Sequence, residues 1–280
     1  MTSEKRENAL LAARAAAERE AEDAKERNRL WWERLPMTYV DWERANRVPT
    51  SLDQYAAMEK TLLAASPFLR EHFDFAALKG QEVLDLGCGA GVLSALLAKN
   101  GARVTAADIT DQGVRLTRRN ARTQGLDIKV VRADAENLRL GDATFDYVLS
   151  WGVLHHVPQT ERALGEVARV LKPRGRGLIM VYHKRSLFYY LKGIIWLVFK
   201  GKIFKGHTLK TVQDFYVDGY YHRHFTKAEL ARSLRGAGLE PEETFATQQQ
   251  QKILPFVPAP LDRFLKRRLG WYLVARFSKP

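Results

Sequence analysis

Asp85 lies in the run Glu82 to Gly91, where the apolar residues Val83, Leu84 and Leu86 lead into Gly87, Gly89 and Gly91, interleaved with Cys88 and Ala90. An apolar run, then glycines, then the helical run Val92 to Asn100 spells a strand, a turn and a helix. It is a nucleotide-binding turn, in which missing side chains let a ligand approach the backbone. A dinucleotide pyrophosphate requires the longer G-x-G-x-x-G spacing, and the Asp85 carboxylate beside it would repel phosphates. A cationic cofactor without phosphate turns that repulsion into attraction.

S-adenosylmethionine is such a cofactor, with a sulfonium, an α-ammonium, ribose hydroxyls and adenine to satisfy. The run Arg103 to Asp108 ends in an acid 23 residues after Asp85, close to the offset of about 20 at which a strand-end acid reaches ribose hydroxyls. Asp108, with Ile109 after it, is therefore the expected ribose ligand. A third apolar run, Ile128 to Arg132, leads into Asp134 and Ala135, where a carboxylate can accept from the adenine amine. Any one of these acids is equally at home as a turn or a helix cap. Three in register behind one glycine loop favour the cofactor. Cys88, the single cysteine, can build neither a disulfide nor a thiolate zinc site, and reads as a small filler within the loop.

The pattern resembles the class I S-adenosylmethionine-dependent methyltransferases, in the small-molecule branch that includes enzymes of ubiquinone and menaquinone pathways. The likeness runs from about Leu78 to Tyr182 and resumes near Phe225. It is carried by Asp85 to Gly91, Asp108, Asp134 with Ala135, Phe145 to Ser150, Gly152 to His156, and Val170 to Ile179. The resemblance implies an α/β fold, a Rossmann-like doubly wound sheet of seven strands, six parallel and the last antiparallel. It also implies an N-terminal helical extension, a helical cap insertion, and a cofactor site of Asp85, Gly87, Cys88, Gly89, Gly91, Asp108, Ile109, Asp134, Ala135, Ser150 and Trp151. The predicted organisation is a helical extension over residues 1–77 and a cofactor-binding domain over 78–280, with basic insertions at 184–225 and 248–270.

The 280 residues, 46% of them hydrophobic, suffice for one large core. The N-terminal residues lack the apolar centre of a signal peptide, and no run reaches the roughly 18 uncharged apolar residues of a membrane span, so a cytoplasmic location is expected. The net charge of +13 is local: residues 184–210 hold seven cations and no acid, and residues 252–280 hold seven cations against Asp262 alone. Between Lys184 and Lys205 the run Phe188 to Phe199 is strongly apolar, a composition that suits an interfacial helix meeting anionic lipid at the inner face of the membrane. A substrate lid packed on the sheet fits the same residues. Nucleic acid is the less favoured partner: the fourth strand ends in Ser150, Trp151 and Gly152 rather than in the Asn/Asp-Pro-Pro-aromatic run of enzymes that methylate base nitrogens. Oligomeric state leaves no mark in the sequence.

Patterning predicts helices over residues 4–34, from 51, and over 91–100, 111–124, 160–171 and 226–235. The predicted strands are 82–86, 103–108, 128–132, 145–150, 176–182, 239–247 and 270–277. Methyl transfer is an in-line displacement, so the chain must mainly place the acceptor and exclude water. For a hydroxyl acceptor a base is needed, and His155, following the fourth strand, is the candidate. Tyr39, His156, Tyr182 and His183 are expected to wall the acceptor, a small molecule soluble in water or lipid and methylated on oxygen or on carbon. Metal-using quinone-pathway O-methyltransferases typically carry Glu-x-x-Glu-His where this chain has Gly152 to His156. No metal is therefore expected, and His222 and His224 read as polar cap residues. A cofactor-binding assembly or regulatory factor without turnover is the alternative.

Overall fold

A computed structural model describes residues 3–34, 49–199, 201–209, 221–247 and 257–280. The Ala-, Glu- and Arg-rich N-terminus has high helix propensity and forms α1 (Ser3–Arg34). Helix α2 (Leu52–Ala65) starts where the Ser51 hydroxyl accepts from the Gln54 amide at 3.4 Å, and α3 (Pro67–His72) carries proline at its start. The alternating part follows as β1 (Glu82–Leu86), α4 (Val92–Lys99), β2 (Arg103–Asp108), α5 (Asp111–Thr123), β3 (Ile128–Arg132), β4 (Phe145–Trp151), α6 (Thr160–Val170) and β5 (Leu171–His183). It ends with α7 (Leu187–Phe199), β6 (His224–Phe225), α8 (Lys227–Gly236), β7 (Glu240–Thr247), α9 (Ala259–Leu269) and β8 (Tyr272–Ser278).

The strands form one sheet in the order β3-β2-β1-β4-β5-β8-β7, in which β8 runs antiparallel to both β5 and β7. The order reverses between β1 and β4, and in open α/β sheets the ligand crevice opens beyond the carboxyl ends of the strands at that reversal. Asp85, the glycine loop and Ser150 all sit there. The sheet has eight strands rather than seven: β6 pairs in parallel with the end of β5, Tyr182 beside His224 and His183 beside Phe225. Two residues are too few for a period-two pattern to register. Strand β5 also begins at Leu171 rather than 176, and α9 lies in a stretch whose charge hid its helical spacing.

Side-chain alternation divides the core between the two faces of the sheet. Leu84, Val148 and Leu273 join one apolar cluster with α6 and α8, while their chain neighbours Val83, Leu149 and Val274 join another with α2 and α4. On α2 the buried Tyr55, Met58 and Leu62 recur at helical spacing and hold that helix to the second face.

Candidate functional site

The glycine loop is fixed from below and from the side. The amides of Gly87 and Cys88 donate to the Ala107 carbonyl on β2 at 2.7 and 3.0 Å. From α5, the Thr117 hydroxyl donates to the Gly89 carbonyl at 2.9 Å, and the Asn120 amide donates to the Ala90 and Gly91 carbonyls at 3.0 and 3.1 Å. Two glycines serve different ends. A Cβ on Gly87 would come within 2.1 Å of Val153 Cγ2, whereas a Cβ on Gly89 would project into open space at φ +54°. Gly87 is thus required by packing, whereas at Gly89 the positive φ, not the space around it, calls for glycine and leaves the backbone open to approach.

Asp85 is buried and its Oδ2 accepts from the Ser94 hydroxyl of α4 at 2.5 Å. Burial pushes its carboxyl up to about 6, against the pull of Ser94, and the nearby Asp108 adds to the rise. Two acids crowded in this way make a site that favours a cation. Asp108 Oδ2 accepts from the Gly89 amide at 2.9 Å and Oδ1 from the Thr110 amide and hydroxyl at 2.9 and 2.6 Å, which ties the loop to the start of α5. Ile109 follows and its carbonyl accepts from Arg132 at 3.2 Å. Burial together with both acids pushes the Cys88 thiol up, so it stays neutral; its sulfur lies 3.3 Å from Thr117 Oγ1.

Asp134 is held by a residue the sequence did not disclose. Lys25 of α1 reaches Asp134 Oδ2 at 3.0 Å and the buried Glu136 at 3.1 Å. Burial alone would lower the Lys25 ammonium, but hydrogen bonds to Glu22, Asp134 and Glu136 outweigh it and raise it. Asn28 donates to the His156 and Tyr221 carbonyls at 2.7 and 2.9 Å, and Glu33 accepts from the first amides of α5 at 2.9 and 3.0 Å. Lys25, Asn28 and Trp32 share one helix face at i, i+3 and i+7. That spacing was in the sequence, but a search for apolar periodicity passes over a polar face. Ala135 is buried beside Asp134.

Strand β4 delivers Ser150, buried with no partner for its hydroxyl, and Trp151, stacked on Phe68 at 5.2 Å. The turn after it brings His155 and His156 to 4.0 Å between ring centroids, and Tyr182 lies 3.8 Å from His155. Both ring nitrogens of His155 lack a partner although its exposure is 0%. Burial, with His156, His222 and His224 close by, holds His155 well below the ordinary histidine value. Burial likewise lowers His156 to about 3, against the pull of its 3.1 Å contact with the Tyr221 carbonyl. His222 and His224 are not polar caps: they pack at 5.0 Å within this aromatic box, with His222 bonded to the Tyr189 hydroxyl at 2.8 Å. His183 departs from the expected acceptor wall. One residue after Tyr182, it faces the other way and lines a separate cavity with Arg185, Lys227 and Arg268. Tyr39 lies outside the described residues. Among the described residues no group of three or more His, Cys, Asp or Glu could hold a metal ion.

The donor set suits S-adenosylmethionine: the open backbone at Gly89 can be approached, and the acids Asp85, Asp108 and Asp134 offer acceptors. Residues 84–179 match the family model described as a methyltransferase domain. Over that stretch the chain is similar to a methyltransferase domain. A ubiquinone biosynthesis O-methyltransferase of Coxiella burnetii is 38% identical over 99 residues, 35% of this chain and 42% of that protein. A Xylella fastidiosa protein of the same name is 28% identical over 221 residues, 75% of this chain and 85% of that protein. The solved S-adenosylmethionine dependent methyltransferase of Mesorhizobium loti superposes with a TM-score of 0.56 at 20% identity, covering 77% of this chain and 98% of that one. The last likeness is one of fold alone.

Lys25 contributes to the docking of α1 beside Asn28 and Glu33. Lys25→Met leaves the buried Glu136 without its counter-ion and is expected to cost about 1–3 kcal/mol of stability, while Lys25→Arg retains most of it. Urea unfolding of the two variants checks this, and an unchanged midpoint in Lys25→Met contradicts it.

Proposed function

We propose that the protein transfers a methyl group from S-adenosylmethionine to an oxygen of a small, lipid-soluble metabolite. The observation that supports this reading best is His155, fully buried with both nitrogens unpartnered at the end of β4, on the same rim as the Asp85 loop. A buried imidazole normally finds a partner, because leaving one out costs about 1–3 kcal/mol. One left open inside an aromatic box is poised for a polar group of a ligand, here the acceptor hydroxyl. The names of the quinone-pathway relatives agree with an oxygen acceptor.

Asp85, Asp108, Asp134 and the backbone of Gly87, Gly89 and Gly91 would hold the cofactor, with Ile109, Ala135, Ser150 and Trp151 around it. When bound, it supplies an electrophilic methyl on a sulfonium. The chain's own share is placement and proton handling. Tyr182 and His156 wall the acceptor, and Trp32 of α1 approaches His156 at 5.3 Å. His155 accepts the hydroxyl proton as the oxygen–carbon bond forms. Because burial lowers its pKa, it stays neutral and able to accept across the physiological range. The acid limb of kcat/KM therefore lies below the ordinary histidine value near 6.5. His155→Gln is expected to lower kcat by about 100-fold or more while leaving cofactor binding intact. Full turnover in that variant, or an acid limb at the ordinary histidine value, would remove His155 from the role.

The same reading has the protein in the cytoplasm, resting on the inner face of the membrane from which a lipid-soluble acceptor is drawn. Phe199 and Phe204, 81% and 90% exposed, and the exposed Ile194, Ile195, Val198 and Ile203 support it, bordered by Lys184, Arg185, Lys202 and Lys205. No helix among the described residues is long and apolar enough to cross a membrane, which leaves a surface contact. Burying each phenylalanine is worth about 1.5–3 kcal/mol. Phe199→Ser combined with Phe204→Ser should thus weaken co-sedimentation with vesicles at least tenfold, and unchanged co-sedimentation would sink the contact.

A further inference from the structure

Four elements converge at the carboxyl end of β5. The His183 amide donates to the Trp271 carbonyl at 2.8 Å, its Nδ1 lies 2.9 Å from the Gly270 carbonyl, and the Lys184 amide donates to the Phe225 carbonyl at 2.9 Å. These bonds bring the start of α8, the end of α9 and the chain leaving β5 around one cavity of about 260 Å³, lined by His183, Arg185, Thr226, Lys227, Ala228 and Arg268. The lining holds three cations and no acid. No described carboxylate pairs with Arg185, Lys227 or Arg268.

The neighbouring acids are already committed. Glu229 pairs with Lys184 at 3.1 Å and accepts from the Thr226 amide at 2.7 Å, which helps hold its carboxyl down at about 2 against the effect of burial. Asp262 pairs with Lys266 at 2.8 Å. Arg268 stacks over the Phe264 ring at 4.8 Å, so its guanidinium plane is fixed while its edge keeps its donors for a ligand. Lys227 and Ala228, the first residues of the ten-residue helix α8, line the same space, so the positive end of the helix lies beside it. His183 feels the field: burial lowers it first, and Lys227 and Arg185 lower it further.

We propose that this cavity is a phosphate-binding site, distinct from the methyl-transfer site, that takes a phosphate monoester or diester between Arg185, Lys227 and Arg268. A forked guanidinium matches phosphate oxygens with two parallel bonds, and helix amides complete the cradle. The phosphate belongs either to an anionic lipid headgroup or to a soluble phosphorylated compound. The exposed side chains of Leu261 and Phe264 on α9 and of Ile194, Val198 and Phe199 on α7 belong to the two elements that bracket the site in sequence.

Calorimetry of the full chain with inorganic phosphate, in a buffer free of other oxyanions, tests the site without reference to turnover. Arg185, Lys227 and Arg268 are exposed, so their replacement should not disturb folding. The double variant Arg185→Gln with Arg268→Gln is expected to lose at least tenfold in phosphate affinity. Arg263→Gln with Arg267→Gln, an equal change of charge on and near the same helix face, should keep it. Vesicles of phosphatidylglycerol in phosphatidylcholine, set against phosphatidylcholine alone, then separate the sources. If the first double variant also loses the anionic vesicles, the ligand is a headgroup; if it keeps them, the ligand is soluble. Absence of phosphate binding to the unaltered chain, or an equal loss in both double variants, would overturn the proposal.

Discussion

A carboxylate buried at the end of the first strand sets the terms for the rest of the molecule. Asp85 has one side-chain donor, the Ser94 hydroxyl, and Asp108 close enough to push its proton affinity up. Removing a charge from water is costly unless something compensates. The loop above it is built to admit that compensation: three glycines at positive φ, one of them opening onto free space, with α5 gripping the loop carbonyls from the side. The buried acid and the open backbone at Gly89 lie side by side, an arrangement suited to a cationic ligand.

The surrounding elements close that site. Helix α1 spans the carboxyl edge of the sheet and ends in contacts to Asp134, His156 and α5, so the cofactor region and the histidine box share one cover. Polar contacts hold it there: an ammonium between two acids, a carboxamide bonded to two carbonyls, and a carboxylate on two helix amides. Contacts of this kind are individually modest and open more readily than an apolar core.

The glycine loop and the strand-end acids of the candidate site were legible in the sequence, and the histidine box only in part. Strand-end aspartates and a glycine loop are local signals, each fixed by a few adjacent residues, and the alternation of apolar runs gave the parallel sheet. Tyr182 near the end of β5 and His155 after β4 were visible as candidates from their places at strand ends. Lys25, Asn28 and Glu33 were not, since their partners lie more than 75 residues away in sequence and their helix face is polar. His222 and His224 read as polar caps because nothing local shows that β6 adds itself to the end of β5, with His222 buried and His224 half-buried beside it. His183 was assigned to the acceptor wall by its neighbour Tyr182, and alternation along the strand carried it to the opposite side. The basic excess was visible as composition; only the fold showed that Arg185 and Arg268, 83 residues apart, line one cavity.

Calorimetric titration of S-adenosylmethionine into the unaltered chain and into Asp85→Asn tests the central claim most directly. The substitution keeps the shape of the side chain and its contact with Ser94 but removes the charge. The account predicts binding to the unaltered chain, at least tenfold weaker binding to Asp85→Asn, and no loss of folding stability, since a costly buried charge has gone. Equal affinity in the two proteins would contradict it and leave the glycine loop as a packing feature alone.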